Sequence, residues 1–223
     1  MADRLKAEAR KKEIVDCAIR LADELGPDGL TASALARCVG VTQPAIFRHF
    51  PSMPDLWRAV TARLAEELER HWERSMQAGP GPLQRLEALA LGQLGLIERV
   101  PALPAILFSR ELHAKNPVLR AEFGTMLKRY HGLLAATLAE ARDRALIRAD
   151  LDPEVAAFLV IAVVQGTALR WSLGGRRRSL AAEGRRVLAE LMKGFEIAAH
   201  REEGPLRARP AARGKLATTE TKR

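Results

Sequence analysis

Three neighbouring side chains, Gln43, Ala45 and Arg48, carry groups that suit the reading of nucleic-acid bases. A glutamine amide can bond N6 and N7 of adenine, an arginine can bond guanine or a phosphate, and an alanine can contact the thymine methyl group. Thr42 and Pro44 mark a helix start, since threonine caps helices and proline is tolerated in the first turn. The stretch predicts a short helix whose N-terminal end contacts DNA in the major groove and offers free amides to a phosphate.

The residues before this helix predict a second short helix and a tight turn, which complete a helix-turn-helix. Thr31 can cap the first helix, and Gly40 follows its end, where a left-handed backbone is needed. The apolar contacts expected to fix the angle between the helices come from Leu35, Val39, Val41 and Ile46. A hairpin without a role in DNA binding is the alternative. The residues predicted to contact DNA are Ser33, Thr42, Gln43, Pro44, Ala45, Phe47, Arg48 and His49.

Composition agrees with a folded protein that has an anionic partner. The 223 residues are 48% hydrophobic and 28% charged, and the formal net charge is +9. Basic and acidic residues nearly balance in the first fifty positions, so charge alone does not locate a DNA-binding surface. The two cysteines exclude a disulfide-dense scaffold, and the absence of a secretory signal favours a reducing cytoplasm. The longest apolar run, Val155–Val164, is about half of a membrane span and predicts a buried helix rather than membrane contact.

Helical periodicity extends along the chain and strand patterns are almost absent, so we predict an all-α fold of about nine helices. The first helix ends at Gly26-Pro27, and Ser52 with Asp55 forms a capping box for a long helix. The expected domains are a helix-turn-helix domain at 1–51, a helical ligand-binding and dimerisation bundle at 52–203, and a disordered basic tail at 204–223. The predicted helices after the first span 32–39, 43–50, 52–78, 82–99, 102–114, 117–146, 153–174 and 180–202.

Glutamines and glycines inside the leucine-rich helices suggest a pocket in the second domain. A buried glutamine must find a partner, and a neighbouring glycine leaves space, so these residues can orient a mostly apolar ligand. The alternative is an ordinary hydrogen bond between helices, with the glycines permitting close packing. The residues proposed to line the pocket are Gln93, Gly95, Phe108, Phe123, Tyr130 and Gln165.

The region Ile14 to Val60 resembles the DNA-binding domain of TetR-type bacterial transcription regulators. The matching features are Gly29-Leu30-Thr31, Leu35-Ala36, Gly40-Val41, Gln43 to Phe50, and Pro51-Ser52 with Leu56. The resemblance implies a homodimer, a double-stranded operator, and repression that an unknown small effector releases. Family members commonly carry a phosphate-contacting lysine after Pro-Ser, where this chain has Met53. Either that contact is lost or Arg58, one turn later, replaces it.

The implied homodimer directs attention to the apolar positions near the C-terminus. Helix 153–174 is apolar nearly all round, as expected of a helix buried on two sides. Two such helices from each subunit would form a four-helix interface. Burial within one subunit is the alternative. The predicted interface residues are Phe158, Ala162, Leu180, Val187, Leu191 and Phe195.

Other functions have weaker support in the sequence. Cys17 lies on the apolar stripe of the first helix and is expected in the core, whereas Cys38 is a candidate redox sensor. Neither the cysteines nor the scattered histidines have metal-ligand spacing. No phosphate loop, nucleophile elbow or carboxylate pair indicates an enzyme or a cofactor. Two alternatives to ligand-released repression remain: a helix-turn-helix protein controlled by a partner protein or redox, and a helical enzyme or lipid carrier with a decayed motif.

Overall fold

Residues 2–197 of the chain are described by a computed structural model. This part of the chain contains ten α-helices and one 3-10 turn, Pro27–Gly29. The helices are α1 (Ala2–Leu25), α2 (Ala32–Val39), α3 (Gln43–His49), α4 (Met53–Met76), α5 (Pro82–Arg99), α6 (Ala102–Phe108), α7 (Arg110–Lys115), α8 (Pro117–Asp143), α9 (Pro153–Leu173) and α10 (Leu180–Lys193). The all-α prediction is confirmed, and the predicted tail at 204–223 lies outside the described residues.

The helix starts follow local capping chemistry. Thr31 accepts a hydrogen bond from the Ala34 amide at 3.1 Å, and Ser52 accepts one from the Asp55 amide at 3.3 Å. The predicted caps of α2 and α4 are thereby confirmed. Asp152 caps α9 by accepting from two amides. Because each cap satisfies an amide that the helix leaves free, these positions fix where the helices begin.

The predicted helix at 102–114 is wrong as a single element. Ser109 interrupts it with an extended backbone and caps α7 by accepting from the Leu112 amide at 3.1 Å. The interruption turns the expected nine helices into ten. Neither glycine nor proline marks the break, and only a capping serine signals it. The other predicted boundaries differ by a few residues, except that α10 ends at Lys193 instead of residue 202.

The first three helices pack on one another and against the rest of the chain. α1 contacts α2 and α3, and its other face lies against α4 and α6. A bidentate ion pair joins the same helix to the turn after α9, where Arg176 Nη1 lies 2.7 Å from Asp23 Oδ2. The guanidinium also lies over the Trp171 ring. α1 is therefore held by α4, by α6 and by the turn that follows α9.

The helices after α3 form a layered bundle in which α8 lies against α9, and α5 contacts α4, α8, α9 and α10. α9 is long and apolar enough to cross a membrane, but one face of it is buried in this bundle. Its opposite face carries exposed apolar side chains, which include Phe158 at 65% and Leu173 at 81% exposure. The sequence alone predicted burial of this helix, and the described chain buries about half of it.

Candidate nucleic-acid interface

The turn between α2 and α3 has the geometry that Gly40 predicts. Gly40 adopts φ 74°, ψ 35°, and its amide donates to the Ala36 carbonyl. A side chain at this position would be strained because L-residues rarely occupy the left-handed region. Leu35 and Ile46 are fully buried between the helices. The turn and these two anchors hold α3 at a fixed angle to α2.

The N-terminus of α3 differs from the expectation in one respect. Thr42 occupies the N-cap position, but its hydroxyl accepts no hydrogen bond from the helix. Its carbonyl instead accepts from the Ala45 and Ile46 amides at 3.0 and 3.3 Å. The prediction that the Thr42 side chain caps the helix is wrong. Because Thr42 is exposed, its hydroxyl is free to bond a group outside the protein.

The side chains predicted to contact DNA lie mostly on one exposed surface of the first three helices. Six of the eight are exposed and two are partly buried, whereas Ile46 and Phe50 of the same segment are buried. Phe47 is an apolar side chain left 38% exposed beside the polar ones. The exposed residues are Ser33, Thr42, Gln43, Pro44, Phe47 and Arg48, and the partly buried ones are Ala45 and His49. Polar groups able to reach a base or a phosphate thus face outward from a rigidly packed helix.

The start of α4 supplies a further cation near this surface. Met53 is partly buried in the first turn and offers no charge. Arg58 is exposed one turn later, and its Nη1 lies 3.2 Å from Asp55 Oδ1. An exposed ion pair of this kind contributes little free energy, so the guanidinium can exchange its carboxylate partner for a phosphate.

The predicted ligand pocket contains a filled cluster of aromatic and polar side chains. Trp72 Nε1 donates to Gln93 Oε1 at 3.0 Å, and the Trp72 ring stacks on Tyr130 with 5.4 Å between centroids. The Tyr130 hydroxyl donates to the Leu89 carbonyl at 3.2 Å, and burial raises the pKa of this phenol far above its ordinary value. The structure thus brings two predicted residues, Gln93 and Tyr130, around a tryptophan. The interhelix hydrogen bond weighed as an alternative is present here.

The other predicted pocket residues are placed differently. Phe123 is buried and meets the edge of His113, whereas Phe108 is 41% exposed at the end of α6. Gly95 lies beneath the Arg99 guanidinium, and Gln165 is half-buried on α9. Among the described residues, no hydrogen bond or ring contact connects these positions to the Trp72 cluster. The six residues therefore do not line one shared cavity wall in this conformation.

The predicted dimer residues separate into two groups. Phe158 and Ala162 lie on the exposed face of α9, Val187 is exposed on α10, and Leu191 is partly buried. Leu180 and Phe195 are only 0% and 2% exposed within their own subunit. Those two predictions need correction, because a side chain enclosed by its own chain offers no surface to a second one. The apolar periodicity of α10 predicted that one face is buried, but it did not show whether the same subunit or a second subunit covers that face.

The two cysteines, expected to act separately, lie together. Cys17 of α1 and Cys38 of α2 form a disulfide in the structure, with their Cα atoms 6.2 Å apart. Arg20 Nη2 lies over both sulfur atoms, 3.3 Å from that of Cys17 and 2.9 Å from that of Cys38. The cysteines are separated by 21 residues in sequence, so local periodicity gave no signal of the pairing.

Comparison with known proteins agrees with this geometry. Residues 14–60 match the family described as bacterial regulatory proteins, tetR family, and residues 82–187 match the tetracyclin repressor-like C-terminal domain. The nucleoid occlusion factor SlmA of Aliivibrio fischeri (strain MJ11) is 26% identical over 171 residues, which are 77% of this chain and 87% of that protein. The two family matches together cover more than half of the chain.

Solved structures share the fold. The transcriptional regulator FadR from Bacillus subtilis, in complex with stearoyl-CoA, superposes with a TM-score of 0.68 at 21% identity, over 83% of this chain and 99% of that one. AibR in complex with isovaleryl coenzyme A and operator DNA superposes with a TM-score of 0.67 at 22% identity, over 82% and 97%. With a helix-turn-helix whose second helix is exposed, a helical second domain and matches to both family domains, the chain belongs to the TetR family of bacterial DNA-binding transcription regulators.

Proposed function

We propose that this protein is a homodimeric, cytoplasmic repressor that binds an inverted-repeat operator through α3 and leaves it when a small molecule binds the second domain. The observation that carries the DNA-binding part is the exposure of Thr42, Gln43 and Arg48 on a helix anchored by buried Ile46. A packed helix fixes the backbone from which these side chains extend, so base contacts order the side chains alone. The proposal includes no catalytic step.

The residue roles follow from helix-turn-helix geometry. Gln43 and Ala45 contact base edges near the start of α3, and Arg48 contacts guanine or a phosphate. The Thr42 hydroxyl and the Gln43 amide bind backbone phosphate, since the Ala45 and Ile46 amides already donate to the Thr42 carbonyl. Residues 1–51 form the DNA-binding domain, and residues 52–203 form the ligand-binding and dimerisation domain. Two subunits place their recognition helices about 34–36 Å apart, one helical turn of DNA.

The exposed apolar face of α9 supports the proposed homodimer. Phe158 and Leu173 would lose their contact with water if the same face of a second subunit covered them. A two-fold pairing places the same patch on both sides, which is the commonest symmetry of soluble oligomers. Ala162 and Gly166 on that face are small and exposed, so two α9 helices can approach closely.

The effector is proposed to be a small molecule with a lipophilic part. FadR was solved with stearoyl-CoA and AibR with isovaleryl coenzyme A and operator DNA, which supports an effector for a chain of the same fold. The Trp72 cluster is the proposed apolar site, and an arriving ligand would have to displace the stacked ring of Tyr130. α4 carries Trp72 and begins beside the helix-turn-helix, so movement at the cluster reaches the DNA-binding domain.

The test begins with the selection of an operator from random DNA by the purified full chain. Gln43→Ala should cost about 1–3 kcal/mol at one base pair and relax the preference there. Arg48→Ala should weaken binding, evenly across sequences if the arginine contacts phosphate. Arg144→Ala is the matched control, since Arg144 is an exposed arginine just after α8, at the opposite end of this helix from the turn that lies beside Arg58. Unchanged affinity and footprint in the Gln43 and Arg48 variants would refute the assignment of α3.

A further inference from the structure

A positively charged cleft lies between α4 and α5, outside the Trp72 cluster and outside α3. Its volume is about 620 Å³, within the range of small-molecule sites. Four arginines and two glutamates line it, which leaves two excess positive charges, and Leu96 forms its apolar floor. The arginines are Arg63, Arg70, Arg74 and Arg99.

Three of these arginines lack a carboxylate partner within the part of the chain that the structure describes. Arg70 and Arg74 each use Nε to donate to a backbone carbonyl four residues earlier, at 3.0 Å, which leaves their terminal nitrogens free. Arg99 is exposed and lies over Gly95. Arg63 is the exception, because its Nη1 lies 2.5 Å from Glu67. The cleft therefore holds unneutralised guanidinium groups from two helices.

Positive charges from α4 and α5 also affect the pKa of one buried side chain, His71. Burial is the main cause that lowers the pKa of His71, and a hydrogen bond with the Leu89 carbonyl partly opposes it. The positive charges of Arg74 on α4 and Arg99 on α5 lower this pKa further. Arg74 and Arg99, one from each helix, also line the same cleft, so a single multivalent anion can contact both.

The cleft continues toward the DNA-binding domain. A second recess of about 300 Å³ shares Arg63, Glu67 and Arg99 with it and is walled by α1 and the start of α6. Asp16 and Asp23 of α1 are part of that wall. A ligand that reorients the shared arginines therefore changes the charges that face α1.

The geometry points to this cleft as the binding site for the anionic part of a small effector that bears phosphate groups. Guanidinium groups bind phosphate oxygens through paired, charge-assisted hydrogen bonds, and the free nitrogens of Arg70, Arg74 and Arg99 supply the donors. The inference rests on the proposed ligand-responsive function and specifies that the ligand is anionic. The lipophilic part of the same molecule would lie toward Leu96 and the bundle interior.

The test is calorimetric titration of the full chain with inorganic pyrophosphate at fixed ionic strength. Saturable binding of one pyrophosphate per chain is expected. Arg74→Ala and Arg99→Ala should each weaken it about tenfold, because each removes charged hydrogen bonds. Arg99→Lys, which keeps the charge without the fork, should recover part of the affinity, and Arg120→Ala on α8 should change it less than twofold. The exposed positions of these arginines allow the variants to fold, which circular dichroism verifies.

The outcomes separate the two proposals. No saturable binding, or equal affinity in the Arg74, Arg99 and Arg120 variants, overturns the anion site. Retention of selected DNA, measured on the same samples without pyrophosphate, reports the DNA-binding function independently. A protein that binds pyrophosphate at this cleft but retains no specific DNA would refute the proposed repressor and leave the anion site standing.

Discussion

Gly92 on α5 leaves room for the imidazole of His71, and replacing it with alanine tests that packing. An ideal Cβ at position 92 would lie 2.0 Å from His71 Cε1, whereas carbon atoms in contact are about 3.5 Å or more apart. The ring must therefore move by more than an ångström. It is buried, and its nitrogens lie 3.5 Å from the Leu89 carbonyl and 3.4 Å from the Ser75 hydroxyl.

The magnitude follows from three opposing effects. Overpacking costs about 1–3 kcal/mol, and loss of a His71 hydrogen bond costs about 0.5–1.5 kcal/mol. The higher helix propensity of alanine relative to glycine stabilises the folded state by about 1 kcal/mol. Gly92→Ala should therefore lower the free energy of unfolding by about 0.5–3.5 kcal/mol, with a loss of about 2–4 °C in thermal midpoint for each kcal/mol.

Urea unfolding followed by circular dichroism, at pH 7.5 and constant protein concentration, measures this loss. Gly132→Ala is the matched control, because Gly132 is exposed on α8 and its added methyl would meet nothing within 4 Å. That variant should gain about 1 kcal/mol. In a His71→Ala background the clash is absent, and Gly92→Ala should no longer destabilise. Equal stabilisation by Gly92→Ala and Gly132→Ala in the native background would refute the close packing of His71.

Three further predictions address pH, assembly and the link to α1. Burial lowers the pKa of His71 in the folded state, so the unfolded state binds the proton at a higher pH, and the free energy of unfolding should fall as pH drops below about 6.5. Urea unfolding between pH 7.5 and 5 should show a smaller fall in the His71→Gln variant. Phe158→Glu should yield monomers by light scattering, whereas Val118→Glu, an equally apolar and exposed site on α8, should leave the native assembly unchanged. A double-mutant cycle at Asp23 and Arg176 should give a coupling free energy of at most about 1 kcal/mol, because the ion pair is partly exposed. Added salt should reduce this coupling free energy, and a coupling that does not change with salt would contradict the prediction.

Most helix boundaries could be predicted from the residues at the helix ends. Contacts between residues far apart in the sequence could not be predicted in this way. Gly26-Pro27 and Gly40 end α1 and α2 because their backbone preferences oppose a continued helix. Ser109 separates α6 from α7 without such a residue, because its hydroxyl accepts from the Leu112 amide and so replaces the helical hydrogen bond which that amide would otherwise donate. The pairing of Cys17 with Cys38 depends on how α1 and α2 pack, which no local period encodes.

The candidate site shows the same division. The exposure of Arg48 follows from the period of α3, since buried Ile46 lies on nearly the opposite side of the helix, whereas Gln43 is exposed as the first residue of the helix. The hydrogen-bond partner of Gln93 is Trp72, 21 residues away. Whether Gln93 faces a ligand pocket or bonds a neighbouring helix could be decided only once the packing of α4 on α5 was known. A signal for the cleft was present, because Arg63, Arg70 and Arg74 recur at helical spacing on one face of α4. The contribution of Arg99 from α5 was not visible in that period.

In the proposed homodimer, the outward face of α9 makes the stability of this protein depend on its concentration in the cell. Val155, Phe158 and Leu173 contact water in an isolated chain, and covering them by association adds to the free energy of unfolding. Mass action then raises the thermal midpoint with chain concentration. Dilution would both separate the subunits and bring each chain closer to unfolding. Low expression would thus shorten the lifetime of the chain in the presence of proteases, as well as reduce occupancy of the operator.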